Sequence, residues 1–564
     1  MNYTLSRKIS QLVGFMLLSP ILLFSQSSMA PLNSDYYYLI DRYEILQKDF
    51  SSSFFTNSKP YTRSSIAEFA QKVYHGKLNL SKVDKFNLQY LLNDNWEWLD
   101  SVDNQSKKPF LKKIYRNVSD FYHVDEPDFD LHISPVLAVS AGKDNGLENN
   151  TFTNTRGVEM RGMIGNKIGF YSAFTENQVR LPYYVQERVE ENGAIPGEGF
   201  WKTYKEDGAD YFGVKGSINF KLIEQISVQF GHDRNFIGNG FRSMFLSDFA
   251  TNYLFLKLNT KVWKLNYTNI FARMTAEGND GIGEPYARKN FVAHHLSINL
   301  SDNFNIGLFE SVVYSRRDSL GNNHFEIDYL NPIIFFRALE HQLGDPDNVS
   351  MGFDFKWNMA NHLQLYGQLF VDDIYLKEFW NGSGWFANKF GQQIGLKYIN
   401  VANIQNLDLQ LEYNSASPYT YSHKNTPKFT NYQHYDQHLT HPLGANFREF
   451  VGLLRVQPIP RLNIVGKGIY VFTGKDQANE NWGSNIFLDY NTRQQDFGNK
   501  IGQGIKTNIY IAELGLSYQL KHNLFIDAKQ LLRKYQSDDE SLSYNTSFTE
   551  IGFRLNIAKK TFDF

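Results

Sequence analysis

From about residue 130 onward the chain alternates apolar with polar side chains, and this period of two constrains its fold more than any other feature. Met351, Phe353, Phe355, Trp357 and Met359 are interleaved with Gly352, Asp354, Lys356 and Asn358. Leu407, Leu409, Leu411 and Tyr413 are interleaved with Asp408, Gln410, Glu412 and Asn414. Leu131, Ile133, Leu137 and Val139 oppose His132, Ser134 and Ser140, and Ile551, Phe553, Leu555 and Ile557 repeat the pattern near the C-terminus. Successive strand side chains point to opposite faces, so each segment reads as a strand with one apolar and one polar side.

The connections predict how these strands assemble. Very short ones, such as 165–167, 222–225, 301–303, 360–362, 458–461 and 521–523, alternate with long polar stretches at about 179–208, 233–251, 274–289, 316–349, 373–389, 415–446 and 474–505. The count comes to about eighteen strands, from near Asp130 to near Phe564. An even count, with both ends on the short-turn side, predicts a closed transmembrane antiparallel β-barrel. In hydrocarbon every backbone N–H and C=O must be paired within the protein, and a sheet achieves this only by closing on itself. Such strands read as hydrophilic on average, in keeping with a mean hydropathy of −0.43. Aromatic girdles at the two membrane interfaces account for 46 Phe and 34 Tyr. The final strand is expected to run to Phe564. A secreted β-sandwich or propeller would have no need of alternating short and long connections.

The rest of the chain is consistent with export. Arg7 and Lys8 precede an apolar run, Leu12–Phe24, followed by Ser25, Ser27 and Ser28. This is the pattern of a secretory signal peptide, residues 1–27, with cleavage expected between about Ser25 and Ala30. No segment after residue 30 approaches the ~18 consecutive apolar residues of a spanning helix. The chain has no cysteine, which excludes disulfides, thiolate metal sites and lipid attachment through sulfur. Lys and Arg number 57 against 59 Asp and Glu, without the basic excess of a nucleic-acid binder. Residues 28–125 change period: Ile66, Phe69, Ala70 and Val73 share a helical face, as do Val83, Phe86, Tyr90 and Leu91. Ser65 with Glu68 fits a capping box. These residues predict a small helical module on the periplasmic side, able to contact other envelope proteins, and residues 126–564 form the barrel in outer-membrane lipid.

Four passages carry candidate chemistry. "GHDRNFIGNGFRSMFLSDFA" (231–250) concentrates Arg234, Asn235 and Arg242 among glycines. It predicts either an inward loop whose arginines line a pore or grip a polyanion, or a loop pinned to the wall by Arg–carboxylate pairs. "YLNPIIFFRALEHQ" (329–342) opens a turn at Asn331, and Arg337 and Glu340 share a side of a possible short helix, as a plug element or a packed loop. In "NYQHYDQHLTHPLGANFREF" (431–450), His434, His438 and His441 have the spacing of helical metal ligands, but Pro442 interrupts the helix and no metal is expected there. His441, Asn446 and Glu449 with the neighbouring tyrosines suit a carbohydrate or simply fill a lumen. Asp372 and Asp373 point to opposite faces of a strand and do not form a glycosidase pair. No G-x-S-x-G, HExxH, P-loop or CxxC is present, so neither an enzyme nor a cofactor is expected.

The passages "GHDRNFIGNGFRSMFLSDFA", "YLNPIIFFRALE", "YTYSH" (419–423) and "HPLGANFRE" (441–449), in this order, resemble the Wzi-like capsule-assembly outer-membrane proteins, in the Bacteroidetes branch related to gliding-motility proteins. The resemblance covers essentially the whole mature chain. It implies an eighteen-stranded barrel with a small periplasmic helical bundle, and a role in holding capsular or other polysaccharide at the cell surface. It supplies no catalytic residues. An accessory role in gliding or surface-protein secretion, or a porin-like channel, are the alternatives.

Overall fold

The computed structural model describes residues 27–564 except 52, 100–103, 107–112, 278–285, 317–322, 332–335, 337–346 and 425–426. The leader expected over residues 1–27 therefore lies almost wholly outside the described residues, as do Arg337 and Glu340.

Eighteen antiparallel strands close into one barrel. They are β1 (Phe129–Asp144), β2 (Thr151–Ile164), β3 (Ile168–Arg180), β4 (Gly208–Ile223), β5 (Ile226–Asp233), β6 (Tyr253–Val262), β7 (Leu265–Thr275), β8 (Arg288–Asn299) and β9 (Phe304–Tyr314). The second half comprises β10 (Asn348–Ala360), β11 (Leu363–Asp373), β12 (Lys389–Tyr398), β13 (Leu407–Ala416), β14 (Phe447–Ile459), β15 (Leu462–Lys475), β16 (Ile505–Lys521), β17 (Leu524–Ser537) and β18 (Tyr544–Leu555). The seam is the β18–β1 pair, from Phe548↔Asp144 to Leu555↔Leu137. Connections at one end are two to eight residues long, and the long loops all leave the other end. Three connections escape the sequence pattern: 145–150 and 538–543, which are short turns at the long-loop end, and 399–406 at the short-turn end.

Exposure runs opposite to that of a water-soluble protein. Met351 and Phe353 are 45% and 40% exposed, whereas Asp354 and Asn358, at alternate positions of the same strand, are 0% exposed. Apolar side chains face out and polar ones face the lumen, as lipid requires. Rings gather at both rims: Phe129, Trp263 and Trp357 near the short turns, and Phe212, Phe450 and Tyr510 toward the long loops.

The helical module holds α1 (Ser34–Gln47), α2 (Arg63–Tyr74) and α3 (Lys82–Asp94). Ile66, Phe69, Ala70 and Val73 are buried as the spacing predicts, against Tyr37, Tyr43 and Tyr61. On α3, Val83, Leu88 and Leu91 are buried, while Phe86 and Tyr90 are only partly covered. The capping box expected at Ser65 and Glu68 does not form, because α2 starts earlier and Thr62 caps it. The box occurs instead at α3, between Ser81 and Asp84.

The C-terminus departs from expectation. β18 stops at Leu555, Asn556 takes a left-handed φ of 52°, and residues 557–564 turn back into the lumen. Phe564 is buried, its ring 5.9 Å from Tyr184 and 6.2 Å from Phe249. The tail meets partners that a straight strand would miss: Lys467 pairs with Asp563, Arg242 donates to the Asp563 carbonyl, and Arg533 Nε donates to the Phe564 carbonyl at 3.2 Å.

Candidate functional site

The lumen is filled from both ends. From the short-turn end, α1 turns its charged side chains onto the inward face of the wall. Lys356 on β10 bonds Glu44 at 2.8 Å, and Lys397 on β12 bonds Asp41 at 2.7 Å. Arg42 bridges Asp84 of α3, at 3.1 Å, to Asp408 on β13. Asn87 and Gln457 on β14 exchange amide hydrogen bonds of 2.7 and 3.0 Å. Behind them, Arg63 pairs with Asp94 at 2.9 Å. Burial pushes the Asp94 carboxyl up, but Arg63, His522 and Arg161 overcome this and hold it well below the usual carboxylate range.

From the long-loop end, the segment 234–252 descends to meet the module. Its strand Phe236–Ile237 pairs with Ser58–Lys59, and Gly238 N donates to the Asn57 carbonyl at 2.9 Å. A φ of 151° at Gly238, with the Gln368 amide 2.9 Å from where a Cβ would sit, explains the glycine. Phe241 N and Arg242 N donate to the Glu412 carboxylate on β13, at 2.7 and 3.0 Å. Lys397 Nζ, besides holding Asp41, donates to the Asn239 carbonyl at 2.7 Å, so one wall lysine grips both fillings. The loop 417–446 packs above: Ser247 N donates to the Leu439 carbonyl at 2.8 Å, and Lys289 Nζ to the Asn431 carbonyl at 2.9 Å.

The residues singled out in the sequence divide accordingly. Arg242 Nη2 lies 2.8 Å from Glu449 Oε1, His441 Nε2 lies 2.7 Å from Glu449 Oε2, and Asn414 donates to the same carboxylate at 2.9 Å. Arg242, His441 and Glu449 thus form one buried network, and the pinned-loop alternative is the one realised for Arg242. Asn446 fastens backbone by donating to the Gly474 and Gln503 carbonyls, both at 2.9 Å. Asn235 accepts from Lys257 Nζ at 3.0 Å and is 1% exposed. His441, Asn446, Glu449 and Asn235 therefore do not face an open space, contrary to their reading as ligand contacts. Asn331 is exposed on a long loop. His434, His438 and His441 do not converge: His434 accepts from Thr275 N at 3.0 Å, and His438 lies 2.9 Å from the Pro442 carbonyl. Asp372 is buried against Lys389 at 3.1 Å, as the strand geometry predicts.

Space remains along β1–β4 and β17–β18, a compartment of about 600 Å³. It reaches Thr151 and Arg180 at the long-loop end and Asn33 and Asn523 at the short-turn end. Arg234 and Arg242 both line it, with Lys59, Arg63, Lys559 and Lys560, and its basic side chains outnumber its acidic ones. Arg234 Nη1 donates to the Asp248 carbonyl at 2.8 Å. Among the described residues neither Arg234 nor Lys59 lies within ion-pair distance of a carboxylate, and Lys59 Nζ instead sits 4.8 Å over the Phe236 ring. Lys59, Lys559 and Lys560 carry no sequence motif and are brought here only by the inward turns of the two chain ends. A larger apolar hollow, about 910 Å³, lies where the outward residues Gly452, Gly468 and Ala512 sit below Phe450, Tyr470 and Tyr510. It faces hydrocarbon and is separate from the lumen.

At the outer surface, loops 374–388 and 476–504 are zipped together by Gly498 N to the Ser383 carbonyl, at 2.8 Å, and by Asn499 N to the Gly384 carbonyl, at 3.0 Å. They carry Trp385 and Phe497, 4.8 Å apart, and Phe386 under the Arg493 guanidinium at 3.6 Å.

No family model matches the chain, and no curated protein matches it. Among solved structures it is similar to Wzi of Escherichia coli, described as an outer membrane protein involved in group 1 capsule assembly and a carbohydrate binding beta-barrel. The TM-score is 0.55 at 10% identity, covering 95% of this chain and 100% of that one. Matches to OprD of Pseudomonas aeruginosa (TM-score 0.42, 11% identity, 76% and 96% covered) and OccAB2 of Acinetobacter baumannii (0.42, 10%, 75% and 97%) are weaker. The likeness to Wzi spans nearly all of both chains and shows the fold: a closed barrel of the outer-membrane kind with helices at its N-terminus.

Proposed function

We propose that this chain is a non-enzymatic, non-conducting outer-membrane barrel, exported by its leader, that holds acidic polysaccharide at the cell surface. The observation that carries the reading is a lumen filled by ordered chain from both ends, leaving a compartment rich in cations. Arg234 lines this compartment without a carboxylate partner among the described residues, and the N–H groups not engaged by the Asp248 carbonyl can donate to a sugar carboxylate. Trp385 and Phe497 at the outer surface offer faces on which pyranose rings stack. The fold shared with Wzi, described as carbohydrate binding, supports sugar as the ligand class.

The test is binding of polyuronic acid oligomers, with neutral dextran oligomers as control, to detergent-purified protein. The uronic oligomers should bind more tightly, and Arg234→Ala with Lys59→Gln should weaken them at least tenfold, about 1.4 kcal/mol or more. Equal affinity for both glycans, or an unchanged double variant, would count against the reading. A second reading, passage of small solutes, is favoured by the reach of the compartment from Arg180 to Asn523. It requires a steady current across a bilayer.

A further inference from the structure

The short strand Tyr122–Glu126 turns through Pro127 and Asp128 into β1 and pairs with it, at the short-turn end. In this register His123 lies directly opposite His132. Asp130 precedes His132 by two residues, so all three side chains share one face of the hairpin. His123 Nε2 is 2.7 Å from Asp130 Oδ1, His132 Nε2 is 3.0 Å from Asp130 Oδ2, and the imidazole centroids are 4.5 Å apart. One donor atom from each residue falls within 4.8 Å of the others.

The surroundings are organised around these donors. The other nitrogen of His132, Nδ1, stands 3.0 Å from Asp120 Oδ1. Asp120 is itself fixed: Oδ2 accepts from Trp96 Nε1 at 2.7 Å and from Ser119 Oγ at 3.1 Å, and Arg161 Nη2 lies 3.3 Å from Oδ1. A carboxylate behind the far nitrogen of an imidazole is what orients histidine toward a metal. Trp96 also presents its ring edge-to-face to His123 and His132, with centroids at 5.0 and 5.7 Å. The His132 side chain is 2% exposed, and those of His123 and Asp130 are 17% and 18% exposed, so the group is walled on the His132 side and partly accessible on the other.

We propose that His123, Asp130 and His132 bind a divalent transition metal, Zn²⁺ above all, as two imidazoles and one carboxylate. This set suits Zn²⁺ with an open position. The short contacts to Asp130 then open slightly to admit an ion ~2.0–2.2 Å from each donor. The ion would staple the last strand of the N-terminal module to the first strand of the wall. The site is independent of the glycan reading and stands apart from the cation-rich compartment.

The test uses the full-length mature protein in detergent, stripped with chelator and titrated with Zn²⁺ by calorimetry and with Co²⁺ by visible absorption. We expect one ion per chain and Co²⁺ ligand-field bands. His123→Ala and the milder His123→Gln should lose both signals, while Asp120→Asn should keep the stoichiometry and lose tenfold to a hundredfold in affinity. His434→Ala, whose ring bonds backbone elsewhere, should bind as the parent does. Heat-dependent gel migration confirms that each variant is a folded barrel. Absence of Zn²⁺ binding by the parent protein, or full binding by folded His123→Ala, would overturn the proposal.

Discussion

Arg242 shows how a single side chain fastens the chain segments inside this lumen. It bridges the descending loop to Glu449 on β14 and to the carbonyl of Asp563 in the returning tail, and neither it nor Glu449 is more than 8% exposed. Two charges removed from water survive only as a satisfied pair, and deleting one partner strands the other. Arg242→Met should destabilise docking of residues 234–252 and of the tail by roughly 3–5 kcal/mol while the wall stays folded. Amide exchange would then quicken in those two segments and not in β10–β13, and equal protection in variant and parent would refute this. The sequence offers Arg–carboxylate pinning of this loop as an alternative but not the partner, because Arg242 and Glu449 are 207 positions apart and no periodicity links them. His123 and His132 are nine positions apart across a Pro-Asp turn, a separation that matches no helical ligand spacing, and only the hairpin register brings their rings together.

At the scale of elements, legibility follows the solvent. Wall strands face hydrocarbon on one side and a wet lumen on the other, so they carry a strict period, and Met351–Met359 or Leu407–Asn414 could be assigned directly. Loops and tail inside the lumen are held by individual hydrogen bonds, which leave no period. For that reason the inward turn of residues 557–564 has no sequence signal, and Asn446 reads as a ligand contact in sequence although it fastens backbone. The loop 417–446 also carries a pH response. Burial lowers His434 to about 4 and His438 to about 3, so both are neutral in the docked state. Once undocked they bind protons near pH ~6.5. The undocked state therefore holds more protons below that pH, and docking weakens as the medium is acidified. The contribution of these histidines is complete above about pH 6.5 and lost progressively toward about pH 4. Limited proteolysis at residues 424–446 should accelerate across that window, whereas constant resistance from pH 7 to pH 4.5 would contradict the assignment.

For the molecule as a whole, the wall supplies a membrane-embedded cylinder and the fillings decide what it does. Lys397 gripping both Asp41 and Asn239, and Ser58–Lys59 paired with Phe236–Ile237, join the two fillings across the middle of the lumen. The remaining compartment runs between the two ends beside the returning tail, and its lining carries more basic than acidic side chains. A barrel built in this way should retain a polyanion and not transmit ions. Steady-state conductance of the purified protein in a planar bilayer tests this most directly. The account predicts no ohmic current from the parent protein at moderate voltage, and sustained, voltage-independent single-channel steps would contradict it.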